Sequence, residues 1–223
     1  MAKETGGGGE TPRAVVGRLS LYLRQLELLE RAGAATVSSR QLGAALELSD
    51  AQVRKDLANF GQFGFRGIGY PVTPLRAAVR AVLGVDRKWR AAVIGAGNLG
   101  RALLGYRGFQ ERGFEICAVF DNDASVVGKK VRGREVWPME KMREVVRRER
   151  VELALIAVPA EAAQSVATEA AAAGVAGILN FAPVTLKVEE AVNVVNVDLG
   201  LQLEQLVFQV HQRATEARQN TAG

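Results

Sequence analysis

Val93-Ile-Gly-Ala-Gly-Asn-Leu-Gly100 sets glycines at 95, 97 and 100 directly behind a short apolar run. Between a strand and a helix, glycines at that spacing let the backbone turn tightly, approach a pyrophosphate and pack helix against strand. The spacing alone is a weak signal, so its surroundings decide. Ala91 to Ile94 reads as the strand, Leu99 to Tyr106 as the helix, and Phe114 to Phe120 as a second strand ending at Asp121. Asp121 stands 21 residues beyond Gly100, near the separation at which a carboxylate accepts hydrogen bonds from an adenosine ribose. Gly95, Ala96, Gly97, Asn98, Leu99 and Gly100 are therefore expected to hold the pyrophosphate at a helix N-terminus, and Asp121 the ribose. A 2′-phosphate beside Asp121 would be repelled, which favours NADH and NAD+ over their phosphorylated counterparts.

Downstream the elements alternate. A helix near Met139 to Arg148, a strand from Leu153 to Val158 ending at Pro159, an alanine-rich helix over 161–173 and a strand from Gly177 to Asn180 predict a Rossmann-type, doubly wound α/β domain with a parallel sheet. Ligands of such sheets lie beyond the carboxyl ends of the strands, which nominates Val158, Pro159, Asn180, Phe181, Ala182 and Pro183 as walls of a nicotinamide site. Spacing alone fits plain strand-to-loop turns equally well. Arg147, Arg148 and Arg150 end a helix, where cations complement the dipole, and read as a solvated face. In the last helix Leu199, Leu203, Leu206 and Val210 recur at four, three and four, with Val207 beside them. Such an apolar stripe packs on its own domain or docks on a second copy.

Upstream, charge points to a different partner. Residues 10–90 hold 13 Lys and Arg against 7 Asp and Glu, whereas residues 91–223 hold 15 against 16, so the whole excess lies in the first part. A basic segment suits a polyanion, because each neutralised phosphate releases counterions. Thr11-Pro12 opens a helix whose Val15, Leu19, Tyr22, Leu26 and Leu29 form one stripe ending at Gly33. Ser38-Ser39-Arg40-Gln41 and Ser49-Asp50-Ala51-Gln52 are two capping boxes in quick succession. Two short helices under a longer one make a helix-turn-helix, with Ser49 to Phe60 as the helix that enters a major groove. On its wheel Val53, Leu57 and Phe60 face inward. Ala51, Gln52, Lys55, Ala58 and Asn59 face outward with Arg54 at the flank, a face of small and hydrogen-bonding groups suited to base edges and phosphates. Ser38, Ser39 and Arg40 open the preceding helix and join the DNA-contacting set. Phe60 to Tyr70 carries glycines at 61, 64, 67 and 69 and reads as a hairpin wing, with Arg66 at its tip aimed at a minor groove.

Composition limits the remainder. At 223 residues and 48% hydrophobic, the chain supports two small cores. No apolar run reaches the ~18 residues of a membrane helix and the start has no signal-peptide core, so a cytoplasmic protein without a membrane partner is expected. The single Cys117 lies in an apolar run and reads as a buried small residue. The expected divisions are a mobile head over 1–12, a winged-helix DNA-binding domain over 13–84, an NAD(H)-binding domain over 85–198, a dimerisation helix over 199–216 and a mobile tail over 217–223.

A dehydrogenase needs a proton donor or acceptor beside the reacting carbon. The only histidine, His211, lies in the last helix, no tyrosine has a lysine four residues later, and no metal-ligand cluster can be assembled. A nucleotide site without catalytic groups reads as a sensor. The alternative is an NAD-dependent oxidoreductase carrying a DNA-binding domain, distinguished by turnover of a carbonyl substrate.

Four stretches carry a family resemblance: Ala51-Gln-Val-Arg-Lys-Asp-Leu57, the glycine-rich run from Phe60 to Tyr70, Gly95-Ala-Gly-Asn-Leu-Gly100 and Gly177-Ile-Leu-Asn-Phe-Ala-Pro183. Over about Arg13 to His211 the chain resembles the Rex family of redox-sensing repressors. The resemblance implies a homodimer that binds an inverted-repeat operator on double-stranded DNA and leaves it when NADH is bound, with NAD+ opposing release. It also implies that Tyr106 and Asp198 couple the bound nicotinamide to domain orientation, and that the last helix is exchanged between subunits. Some members place an aromatic residue directly after that aspartate; here the position is Leu199.

Overall fold

The computed structural model describes residues 13–61, 63–64 and 68–221, with side chains between Val15 and Arg213. The expected head, Arg66 and the last two residues of the expected tail lie outside the described residues. The chain divides into two compact units between Arg87 and Lys88.

The first unit contains α1 (Arg13–Arg31), β1 (Thr36–Val37), α2 (Ser39–Leu46), α3 (Asp50–Ala58), β2 (Tyr70–Pro71) and α4 (Val72–Val82). The four-three spacing along α1 aligns Leu19, Tyr22 and Leu26 on one side. They close over Leu42 of α2, Val53 and Leu57 of α3, and Leu75 and Val79 of α4. Each of these leucines is 2% exposed or less and contributes roughly 1.5–3 kcal/mol of burial. Ser38 caps α2 in a reciprocal box with Gln41. The turn into α3 is tight because α2 ends on Glu47 in the left-handed region, φ 56°, and a Cβ on Gly43 would meet the Leu48 carbonyl oxygen at 2.5 Å. Ser49 caps α3 by accepting from the Gln52 backbone N–H, but the Gln52 side chain donates to Asp56 rather than completing the expected box. The helix ends at Ala58, two residues before the predicted Phe60. At the far end of the glycine-rich run, Tyr70–Pro71 pairs antiparallel with Thr36–Val37, so the described pairing joins this run to the strand before α2.

In the second unit, β3 (Trp89–Ile94), β4 (Phe114–Asp121), β5 (Lys130–Val131), β6 (Arg134–Pro138), β7 (Leu153–Ile156), β8 (Gly177–Asn180) and β9 (Asn193–Asn196) form one sheet in the order β5-β6-β4-β3-β7-β8-β9. Every pairing is parallel except that of the edge strand β5 with β6. The order reverses direction at β3, so the crevice at its carboxyl end is the topological switch point. Alternate strand residues Ala92, Ile94, Phe120, Ala154 and Ile156 pack under α7 (Met142–Glu149) and α8 (Ala160–Ala172). Ala91, Val93, Ile116 and Leu155 point to the other side, toward Leu103 and Leu104 of α5 (Asn98–Gly105) and Phe109 of α6 (Arg107–Glu111).

Several bounds depart from the sequence reading. β3 starts two residues before Ala91, β7 stops at Ile156 rather than Val158, and a 3-10 turn over Met139–Lys141 precedes α7. The edge strands β5 and β9, the strand β6 inside β5 and the short α6 are absent from the sequence expectation. The final helix α9 (Leu199–Thr221) continues five residues past 216, into the stretch read as tail. Among the described residues no helix is long and apolar enough to cross a membrane, and no group of three His, Cys, Asp or Glu could hold a metal ion.

Candidate functional site

The parallel register brings Ile94, Phe120, Ile156 and Asn180 level at the carboxyl edge of the sheet, so the loops after four strands open on one crevice. The three glycines of the fingerprint stand there for three different reasons. Gly95 has φ +100°, a conformation L side chains rarely adopt, and a Cβ on it would lie 2.5 Å from the Ala157 carbonyl oxygen. Gly100 is pressed against the turn: a Cβ would meet the Gly95 oxygen at 1.8 Å. Gly97 has an ordinary backbone, φ −70° and ψ −166°, and a Cβ there would meet nothing within 4 Å. Neither conformation nor protein packing requires glycine at 97. The open space above its backbone is what the approach of a pyrophosphate needs.

Asn98 and Leu99 are exposed in the first turn of α5, and Ala96 is buried beneath them. Asp121 ends β4 with its carboxylate turned to the fingerprint: Oδ2 accepts from the Ala96 N–H at 2.6 Å and Oδ1 from the Asp123 N–H at 2.8 Å. Arg101 donates from Nε to the Ala96 carbonyl at 2.8 Å and steadies the same loop. Sequence reasoning passed over Arg101, although a cation in the first turn of a helix runs against the dipole and so signals a local partner.

Val158 lies beside the fingerprint, its Cγ1 3.0 Å from a Cβ placed on Gly95, and Pro159 is the exposed residue leading into α8. Asn180 is fully buried, and its carboxamide organises the next loop. Nδ2 donates to the carbonyls of Ala182 and Val184 and to Asn196 Oδ1, while Oδ1 accepts from the Ala182 N–H. Phe181 is half-buried against the cluster around Leu155, Ala182 is buried and Pro183 is exposed. Asp198 follows β9 and caps α9, accepting from the Leu201 N–H at 3.0 Å. Tyr106 is 56% exposed between α5 and α6, edge-on to Phe109 at 5.0 Å. Leu199, Leu203 and Leu206 are all more than half exposed along α9, with Val207, Phe208 and Val210. A second apolar surface, a groove of about 390 Å³ lined by Phe109, Ile116, Leu153, Leu155, Leu179 and Val195, opens toward the amino ends of the strands, away from the crevice.

In the first unit the exposed side of α3 presents Ala51, Arg54, Lys55, Ala58 and Asn59, and Gln52 is half-buried. Arg54 Nη1 donates to Asp50 at 2.7 Å and to Ser39 Oγ at 3.1 Å, tying α3 to the start of α2, where Arg40 is exposed. That contact holds the Asp50 carboxyl below its ordinary range. Behind this face lies a group missed in the sequence. Asp56, 1% exposed, accepts from Arg18 Nε at 2.5 Å and Nη2 at 2.8 Å, from the Tyr22 hydroxyl at 2.8 Å and from Gln52 Nε2 at 2.7 Å. The Arg18 contact holds the Asp56 carboxyl below its usual value, and burial raises the Tyr22 hydroxyl far above its own. An acid at the inner edge of an apolar stripe was the available signal that a cation had to reach it.

Asp121→Ala is expected to weaken NADH binding about tenfold or more, the worth of a charged hydrogen bond, and to narrow the preference over NADPH. Titration calorimetry with both nucleotides measures it; unchanged values would remove Asp121 from the ribose site.

Residues 86–184 match the family model described as "CoA binding domain", and residues 10–58 that described as "Putative DNA-binding protein N-terminus". Coenzyme A and NAD share an adenosine diphosphate moiety. A protein of Carboxydothermus hydrogenoformans is 52% identical over 91% of this chain and 98% of its own, and one of Pelotomaculum thermopropionicum is 48% identical over 93% and 98%. Both are named redox-sensing transcriptional repressor Rex. Among solved structures, RSP, a Rex-family repressor, in complex with β-NAD+ and operator DNA matches with a TM-score of 0.89 at 32% identity, over 95% of this chain and 98% of that one. RSP in complex with β-NADH matches with a TM-score of 0.84 at 31% identity, over 94% and 99%.

Proposed function

The chain belongs to the Rex family of redox-sensing transcriptional repressors, and from that premise we propose how its residues perform the task. It is a DNA-binding repressor that senses the NADH/NAD+ balance, a regulator rather than an enzyme. The observation that carries the nucleotide reading is Gly97, a glycine that neither the backbone nor any protein neighbour requires.

Gly95 to Gly100 would hold the pyrophosphate, Asp121 the ribose, and Val158, Pro159 and the loop Asn180 to Pro183 the nicotinamide side. When bound, the nucleotide supplies a ring whose charge differs by one between its oxidised and reduced forms. Phe181 and Leu199 are apolar and bury an uncharged ring more readily than a cationic one, which sets the sign of the preference. Differential binding of that kind is the only way a ligand shifts a conformational equilibrium. Tyr106 and Asp198 are the residues through which occupancy would alter domain orientation. DNA and NADH then bind antagonistically, by reciprocal coupling between two sites.

On the DNA side, Arg54, Lys55, Asn59 and Gln52 of α3 would meet the major groove, Ser38, Ser39 and Arg40 the backbone at the start of α2, and Arg66 the minor groove. An inverted-repeat operator calls for two copies. The exposed stripe of α9 and the open groove on the sheet give a second copy apolar surface to cover, well beyond the scattered single residues normal on a monomer. A cytoplasmic location goes with this reading, because DNA and the nucleotide pool meet there. The proposed divisions are 13–84 for the DNA-reading domain, 85–198 for the nucleotide domain and the helix from 199 for dimerisation.

Fluorescence anisotropy of a labelled inverted-repeat DNA, selected from a random pool by this protein, tests the reading at fixed salt. Release on adding NADH and little response to NAD+ is expected. No response to either would overturn it, and turnover of nicotinamide absorbance with a carbonyl substrate would favour the oxidoreductase alternative. Ending the chain before Leu199 is expected to give monomers or insoluble protein by light scattering; a stable dimer would refute the exchanged helix.

A further inference from the structure

We infer that Asp56 is a positioning residue for base reading: it takes the amide nitrogen of Gln52, fixes the carbonyl oxygen of that side chain outward, and so makes Gln52 a reader of one exocyclic amino group in the major groove. The inference rests on α3 being the recognition helix.

Both oxygens of Asp56 are saturated. Oδ1 accepts from Arg18 Nη2 and from Gln52, and Oδ2 accepts from Arg18 Nε and the Tyr22 hydroxyl. An ionised carboxylate has about four acceptor positions and no proton to give. The Gln52 atom facing it at 2.7 Å is therefore the nitrogen, and the orientation of the carboxamide is settled by chemistry. Arg18, its side chain 24% exposed, and buried Tyr22 both come from α1, so Asp56 is tied to the core of the first unit from a second helix. With its nitrogen held inward, Gln52 presents an acceptor. The major-groove groups that donate to it are the amino groups of adenine and cytosine; guanine and thymine offer acceptors there. A bidentate pairing with adenine, the usual glutamine contact, also needs the nitrogen to reach N7.

Operator analogues test this atom by atom. Each adenine of the half-site is replaced in turn by purine, which lacks the amino group, or by 7-deazaadenine, which lacks N7, and each cytosine by unsubstituted pyrimidin-2-one. For the wild-type dimer one amino deletion per half-site is expected to cost about tenfold in affinity through its coupling to Gln52. Gln52→Met should bear that loss already, so the same deletion costs it nothing further, while 7-deaza substitution costs both proteins equally. Asp56→Asn can donate to the glutamine oxygen and frees the carboxamide to turn, so its coupling should fall below about threefold. Should that variant fail to fold, the Gln52→Met cycle stands alone, because a half-exposed methionine suits a helix.

No base position coupled to Gln52, or coupling to N7 as well as to the amino group, would overturn the inference. Lys55→Ala separates it from the reading beneath. Weaker binding with a salt slope reduced by about one is expected; unchanged binding and slope would sink α3 as the recognition helix itself.

Discussion

Gly97→Val is expected to fold as the wild type does, bind operator as tightly, and lose at least about a hundredfold in NADH affinity, so that it stays on DNA at nucleotide concentrations that release the parent. The contrast within one motif makes this prediction sharp. At Gly95 and Gly100 an added Cβ collides with backbone oxygen at 2.5 and 1.8 Å, so substitution there disturbs the strand-turn-helix itself. At Gly97 the backbone is ordinary and the space is empty of protein, so valine enters only the volume that the proposed pyrophosphate site needs. Thermal melting, NADH calorimetry and operator anisotropy together check it. A valine variant that still responds to NADH would move the pyrophosphate elsewhere.

Asp56→Ala is the opposite case, a large effect on folding of the first unit with the nucleotide crevice untouched. Removing the carboxylate leaves Arg18, Tyr22 and Gln52 without their shared acceptor. Losing one partner of a buried pair costs 3–5 kcal/mol; with a quarter of the Arg18 side chain in water, about 3 is expected. That corresponds to a fall of about 15 °C in Tm for a unit of this size. Hydrogen exchange along α1 and α3 should accelerate, operator binding should fail at 37 °C, and NADH binding should persist. The same group sets a pH dependence. Because its pKa is depressed in the fold, Asp56 contributes stability that is fully present above the ordinary aspartate value of about 3.9 and is lost as pH falls through the lower folded value. Acid should therefore loosen α1 and α3 in the wild type and have little further effect on Asp56→Ala. Equal acid sensitivity in both proteins would show that the pair is not the titrating element.

The parts of the fold read correctly from the chain are those whose pattern is local. Short apolar runs such as Ala91 to Ile94 are continuous rather than alternating because both faces of a parallel strand are covered. The stripe of α1 repeats for several turns, and the serines at 38 and 49 name the helix starts directly. The strands of this sheet that escaped notice lie at its edges or next to them. Asn193–Asn196 begins and ends on polar residues and is mostly exposed, so it lacks the signature of a strand until β8 lies beside it. The wheel of α3 placed Gln52 outward by angle, but angle cannot reveal that an aspartate one turn later, fixed by two residues 34 and 38 positions earlier, captures its amide.

By itself, then, the sequence determined the order of the main helices and central strands, the division into two units, the glycine spacing of the fingerprint with an acid at the end of the second strand, and the basic helix-turn-helix pattern, because each rests on spacings within a few turns or one strand-turn-helix unit. Tertiary structure decided what depends on groups distant in the chain: that Gly97 faces open space while Gly95 and Gly100 are enclosed, that Asn180 and Asp198 hold their own loops, and that Asp56 gathers four hydrogen bonds on the inner side of α3. A polar side chain's role is set by which donors and acceptors reach it. That is a property of packing, and no local pattern encodes it.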